Sequence, residues 1–185
     1  GAIVNAAGID ASVLTPGLAV VPRKGHLVIT ERRAAIIRHQ LVELGYLASA
    51  HTMSAASTAF NLQPRATGQL LIGSSRELVG RDASINRRVL GEMLARAVHF
   101  VPSLGGMTAL RVWTGFRPAT PDKLPLIGAW PATRGLWIAA GHEGLGITTA
   151  PGTAAIIAAG ILGGTSPIDP APFAPDRKMP ALVAA

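Results

Sequence analysis

Cysteine is absent from the 185 residues. That excludes disulfides, Cys-ligated zinc and iron–sulfur ligation within the chain, and it is compatible with a cytoplasmic protein, either free or held at a membrane through a partner. Aromatic residues make up only 4% and charged residues 15%. The 17 lysines and arginines outnumber the 10 acids, but they are scattered along the chain. A nucleic-acid-binding surface clusters its cations and interleaves aromatics, so the excess reads as a solvated basic surface and not as a nucleic-acid site. Long apolar runs are missing too. Ala154–Leu162 falls far short of the roughly 20 residues a membrane span needs, and no signal peptide stands out. No His/Glu grouping has metal-site spacing, so no metal is expected.

What is present is a hydrophobic content of 49%, enough for a packed core. The length suits one domain or pieces of two. The chain opens with the apolar run Gly1–Gly8 and no initiator Met, which reads as a buried strand and as the start of a piece of something longer. Gly17–Val21 and Gly25–Thr30 read as short strands split by a turn at Pro22–Gly25. Glu31–Tyr46 carries helix-like spacing between sheet-like flanks. Thr58–Leu62 and Gly68–Ser74 alternate as half-buried strands do. Ser84–Phe100 is amphipathic, with Ile85, Val89, Met93 and Ala97 in one row and Leu90, Leu94 and Val98 in the next. Asp82 or Ser84 suits its cap. Leu110–Thr114 and Leu136–Ala140 are further strands. Pro151–Leu162 reads as a helix apolar on all sides and hence buried, with Pro151 in its first turn. The proline-rich tail, Pro167–Pro180, reads as extended over the surface.

The segment Leu136–Leu162 combines a strand, the glycine-rich turn Gly141-His142-Glu143-Gly144-Leu145-Gly146 and a helix. Glycines let backbone amides approach a ligand closely, and a helix N-terminus offers free N–H groups and partial positive charge. Together they favour an anion, although many plain βα turns share the pattern.

Further motifs precede it. They are Gly115-Phe116-Arg117-Pro118 through Asp122, then Leu124-Pro125-Leu126-Ile127-Gly128. With Val4–Gly8, Pro22–His26 and Gln63–Gly73, the set resembles the C-terminal part of the FAD-dependent amino-acid oxidoreductases of the D-amino-acid oxidase/glycine oxidase superfamily. The wording is closest to the branch of hydrogen cyanide synthase subunits, opine oxidases and D-hydroxyproline dehydrogenases. The resemblance implies an α/β plus α+β fold: residues 1–15 and 115–185 in a partial FAD-binding domain, and 16–114 in a substrate domain of antiparallel sheet plus helix. Ile3–Ala7 and Leu136–Ala140 should then share one sheet. It implies oxidation of the CH–NH bond of an amino acid or secondary amino acid by hydride transfer to flavin. It assigns flavin contacts to Ala7, Gly8, Gly115, Arg117, Gly141, His142, Glu143, Gly144, Leu145, Gly146, Ile147 and Thr148. Arg117 matches the arginine that pairs with a substrate carboxylate. Glu143 stands where related enzymes place a second substrate-facing arginine, so it suits a substrate amine or hydroxyl instead. His142 either contacts flavin or satisfies a loop carbonyl. His51, Arg65 and Trp113 are candidates for lining the substrate cavity.

The Gly-x-Gly-x-x-Gly turn that grips the FAD pyrophosphate in such enzymes does not occur in this sequence, so the chain alone is not expected to hold FAD. Expected partners are an amino-acid substrate, the N-terminal part of the enzyme and electron-transfer subunits. The competing reading is a non-catalytic structural or interaction subunit that keeps the fold without its cofactor.

Overall fold

The computed structural model describes residues 1–33, 36–45 and 56–181. It divides into two compact units, one of Gly1–Arg23 with the chain from Arg117 onward, the other of Lys24–Phe116. Pro16–Arg23, expected with the substrate domain, belongs to the first unit because Leu18 and Val20 are buried there with Leu126, Ile138, Ala140 and Ala11 of the short helix α1 (Ala11–Leu14). Gly115 and Phe116 fall in the second.

In the first unit, β1 (Ile3–Asn5), β8 (Leu136–Ala140) and β7 (Leu126–Ala129) form a sheet in the order β1-β8-β7. β1 runs parallel to β8, with Ile3 opposite Leu136 and Asn5 opposite Ile138. Ile3–Ala7 and Leu136–Ala140 thus share a sheet. Side chains alternate across it as the strand period of two requires. Leu126, Ile138 and Ala140 join the Ala11 cluster, whereas Ile127, Trp137 and Ala139 face the helix α3 (Gly146–Leu162) through Ile156 and Ile157. Gly160 is required there: a Cβ on it would lie 2.4 Å from Trp137.

Two expectations about apolar segments change. β1 is not buried, since Ile3 is 72% exposed and, among the described residues, the strand pairs only with β8. α3 starts at Gly146, not Pro151, and only Thr153, Ile156 and Ile157 are buried in it. Its outer face is uncovered, with Leu162 82% exposed. Together with the turn before it, Glu143–Leu162 is long and apolar enough to cross a membrane by length and composition alone. The Ala154–Leu162 run understated this by stopping at Thr153. In the structure one face of the helix packs on the sheet. Nor is the tail simply extended. It contains a single turn of 3-10 helix at Ala171–Phe173, and Arg177 clamps Asp122 through two of its three guanidinium nitrogens, Nε to Oδ2 at 2.6 Å and Nη2 to Oδ1 at 2.8 Å.

In the second unit the sheet order is β3-β4-β5-β2-β6, with β2 Val21–Thr30, β3 Leu41–Val42, β4 Ala56–Pro64, β5 Leu70–Glu77 and β6 Ala109–Ala119. The helix α2 (Arg87–Phe100) lays Met93 and Ala97 on Val28, Phe60, Leu62, Leu70 and Ile72. Its cap is Asn86, whose Oδ1 accepts from Val89 N at 3.3 Å, and not Asp82 or Ser84. Ile85, expected on the buried row, lies before the helix and is exposed.

The turn expected at Pro22–Gly25 is absent, and β2 runs straight through it. Arg23, Lys24 and His26 are all buried, which costs a great deal unless partners satisfy them. Lys24 Nζ lies 3.7 Å from Glu77 and 3.5 Å from Asp82, and it donates to Ser84 O at 3.0 Å. His26 Nε2 accepts from Asn86 N at 3.1 Å, and its Nδ1 meets Ser75 Oγ at 2.8 Å. Asn86 Nδ2 also donates to Glu77 Oε1 at 2.8 Å. The cap of α2 is thereby tied to β2 and β5.

Burial holds His26 below its ordinary pKa; Glu77 opposes that shift and Lys24 reinforces it. The neutral ring is the one that accepts at Nε2. The unfolded chain therefore binds a proton that the folded one refuses, so this stability is complete above about pH 6.5 and declines as the pH falls below it. Thermal unfolding across pH 5–8 should show that slope, and His26→Gln should flatten it in part. The remainder belongs to His142, which burial shifts in the same direction.

Candidate functional site

The parallel strands β1 and β8 end side by side, so the segments leaving them emerge at one edge of the sheet. In open α/β sheets, ligands bind outside the carboxyl ends of the strands. Asn5 shapes the first exit. Its buried amide donates to Ala11 O at 3.0 Å and to Thr15 Oγ1 at 2.8 Å, while Oδ1 accepts from Ala7 N at 3.2 Å. Gly8 follows with φ +59.

The second exit is the turn Gly141–Leu145. Gly141 has φ +81, and a Cβ there would lie 2.5 Å from Thr120 Cγ2, so only glycine fits. The His142 ring meets Thr153 Oγ1 at 2.8 Å. Thr153 itself donates to Thr149 O, which assigns the Nε2 hydrogen to His142. The ring is thus tied to α3 through a hydroxyl, not to a loop carbonyl. Glu143 adopts φ +49, a left-handed conformation that costs a non-glycine residue about 1–2 kcal/mol. Its Oε2 accepts from Gly144 N at 2.6 Å, and its Oε1 lies 3.6 Å from Arg23 Nη1. Arg117, at the end of β6, passes the same turn: a Cβ on Gly144 would lie 3.7 Å from its Cδ and 3.8 Å from its Nε.

Beyond the turn, Leu145, Thr148 and Thr149 are exposed, and Ile147 is 95% exposed. The first helical N–H groups of α3 have no partner within the helix. Pro151 lies inside α3 and supplies no N–H to the Ile147 carbonyl. The turn and the start of α3 thus present an open, partly apolar surface bordered by amide donors. Ala7, Gly8, Arg117 and Gly141–Thr148 border that surface.

The other sequence candidates belong to the second unit or lie outside the described residues. Gly115 and Trp113 lie on the part of β6 in the second unit, where Arg111 sits 5.7 Å from the Trp113 ring. Arg65 is in the β4–β5 turn beside Arg33 and Met107, at the end of β5 opposite Glu77 and Lys24, roughly 24 Å along a strand. His51 lies outside the described residues. Among the described residues no cluster of acids and histidines could hold a metal. The site also includes residues that the sequence reading passed over: Arg23, Asn5, Thr120 and Thr153. Arg23-Lys24 inside an otherwise apolar, β-prone stretch was the available signal, since two buried cations demand carboxylates elsewhere.

The model of the FAD dependent oxidoreductase family matches residues 1–159. The chain belongs to this family. It is 32% identical over 163 residues to a glycine oxidase of Pseudomonas aeruginosa, covering 88% of the chain and 41% of that protein. Over 183 residues it is 31% identical to the hydrogen cyanide synthase subunit HcnC of the same organism, covering 96% of the chain and 40% of that protein. The crystal structure of glycine oxidase from Geobacillus kaustophilus superposes with a TM-score of 0.81 at 28% identity, over 97% of this chain and 46% of that one. This family member therefore spans less than half the length of these relatives.

Proposed function

We propose that the protein containing this chain oxidises the CH–NH bond of an amino acid or secondary amino acid, with FAD as hydride acceptor. The observation that carries this reading is the convergence, at the carboxyl ends of β1 and β8, of the Gly141–Leu145 turn, the α3 N-terminus and Arg117. FAD bound there would supply the two-electron acceptor for the hydrogen of the substrate α-carbon, the nitrogen's proton passing to solvent. The chain's own residues do the positioning. Arg117 pairs with the substrate carboxylate, a planar group that a guanidinium fork matches. The amides of Gly144–Thr148 and the positive end of α3 stabilise charge that develops on reduction. Glu143 receives the substrate amine. The partners in this reading are the N-terminal part of the enzyme, which supplies the pyrophosphate grip, and an electron-transfer subunit, in keeping with the subunit name of the relative HcnC.

Purified full-length protein should be yellow, and its flavin band should bleach anaerobically with at least one member of an amino-acid and N-substituted amino-acid panel. A folded, colourless full-length protein would establish the non-catalytic subunit instead.

A further inference from the structure

We propose that Arg23 is a positioning residue of this oxidation: it acts through Glu143, placing that carboxylate at the glycine turn and offsetting its charge, so that the substrate amine is received without being held in its protonated form. The inference rests on the oxidoreductase reading of the site.

Arg23 is 1% exposed and Glu143 19%. The guanidinium is therefore out of a substrate's reach, whereas the carboxylate is not. Successive residues of β2 point to opposite faces. Lys24 is taken up by Glu77, Asp82 and Ser84, and Arg23 is left to meet the turn. Glu143 is held twice, by Arg23 at 3.6 Å and by the Gly144 amide at 2.6 Å. A left-handed backbone at a non-glycine residue persists only where the surroundings over-determine it, and these two contacts do so. The charged side chains shown around the turn are Arg23 from β2, Arg117 from β6 and Glu143 itself; His142 is neutral and bonded to Thr153.

Hydride loss from an α-carbon requires the nitrogen lone pair, so the bound amine must give up its proton. A bare carboxylate beside an ammonium stabilises the charged form and raises its pKa. A guanidinium behind the carboxylate reduces that effect. Arg23 thus keeps Glu143 useful for recognition and limits its cost to chemistry.

The test uses full-length FAD-loaded enzyme and its Arg23→Met, Arg23→Lys, Glu143→Gln and Arg23→Met/Glu143→Gln variants. The acid limb of the kcat–pH profile reports the amine in the complex. Arg23→Met should move that limb up by about one pH unit and Glu143→Gln should move it down, by the magnitude of a single nearby charge. Arg23→Lys should stay near wild type, and the double variant should follow Glu143→Gln. A second readout is independent of turnover. In thermal-shift titrations, Arg23→Met should favour an α-amino acid over its amine-free counterpart by about ten-fold more than wild type does. Profiles that superimpose for wild type, Arg23→Met and Glu143→Gln would reduce Arg23–Glu143 to a structural ion pair and overturn the inference alone. A wild-type flavin that no amino acid bleaches would overturn the oxidoreductase reading, and the inference with it.

Discussion

Arg117→Ala in the full-length enzyme should lower kcat/KM for its best amino-acid substrate by roughly thirty- to five-thousand-fold, and Arg117→Lys by roughly ten- to a hundred-fold. The larger loss follows from removing one member of a desolvated charge pair, which costs about 2–5 kcal/mol. The smaller follows from keeping the charge while losing the two-pronged geometry, about 1.5–3 kcal/mol for a charge-assisted hydrogen bond, at tenfold per 1.36 kcal/mol. Oxidation of an amino acid by flavin depends chiefly on orientation, so an anchor matters more than a general base. The geometry suits that role: the Arg117 stem runs alongside Gly144, between the end of β6 and the turn that leads into α3. Flavin absorbance per protein should be unchanged in both variants. Steady-state kinetics showing near-normal kcat/KM for Arg117→Ala would refute this role for Arg117.

Gly141→Ala should be the most damaging single methyl in the turn. A Cβ at this position would stand 2.5 Å from Thr120 Cγ2 and 3.5 Å from Leu126 N, on a backbone with φ +81. The left-handed conformation costs about 1–2 kcal/mol and the overlap a further 1–3 kcal/mol or so. Their sum is a large part of a typical stability of about 5–15 kcal/mol. Thr120 has little freedom to yield, because its hydroxyl donates to Leu124 O at 2.8 Å. Thermal unfolding should fall by many degrees, and flavin content in the full-length protein should fall with it. Thr120→Ser removes the offending methyl and keeps the hydroxyl, so the double variant should recover the overlap part but not the backbone part. Gly144→Ala is the contrast. Its Cβ would meet only Arg117, at ordinary contact distance, so the protein should fold normally and any effect should appear in kinetics. Equal destabilisation by Gly141→Ala and Gly144→Ala would refute this account of the turn.

Much of the architecture was legible because it is local. The β4–β5 hairpin shows period-two alternation, α2 shows period-four rows, and β8, its glycines and α3 follow one another within 27 residues of chain. The family pattern added the pairing of β1 with β8, which lies across more than 130 residues of chain. Within the site, the glycine turn and Arg117 were readable from motif wording.

What the sequence by itself determined was the class of fold, the family and the glycine-rich turn between β8 and α3, since side-chain periodicity, turn residues and motif spacing are all written within short windows. Tertiary structure alone decided how the charges are used. Pro22-Arg23-Lys24-Gly25 looks like a turn because two adjacent cations belong in water. It becomes a strand because Glu143, Glu77 and Asp82 arrive from elsewhere in the chain to meet them. The same holds for α2, where three residues could serve as the cap. Asn86 takes the position because its amide finds His26 and its side chain finds Glu77. A buried charge is tolerable only when its partner is present, and which partner is present depends on how the chain folds.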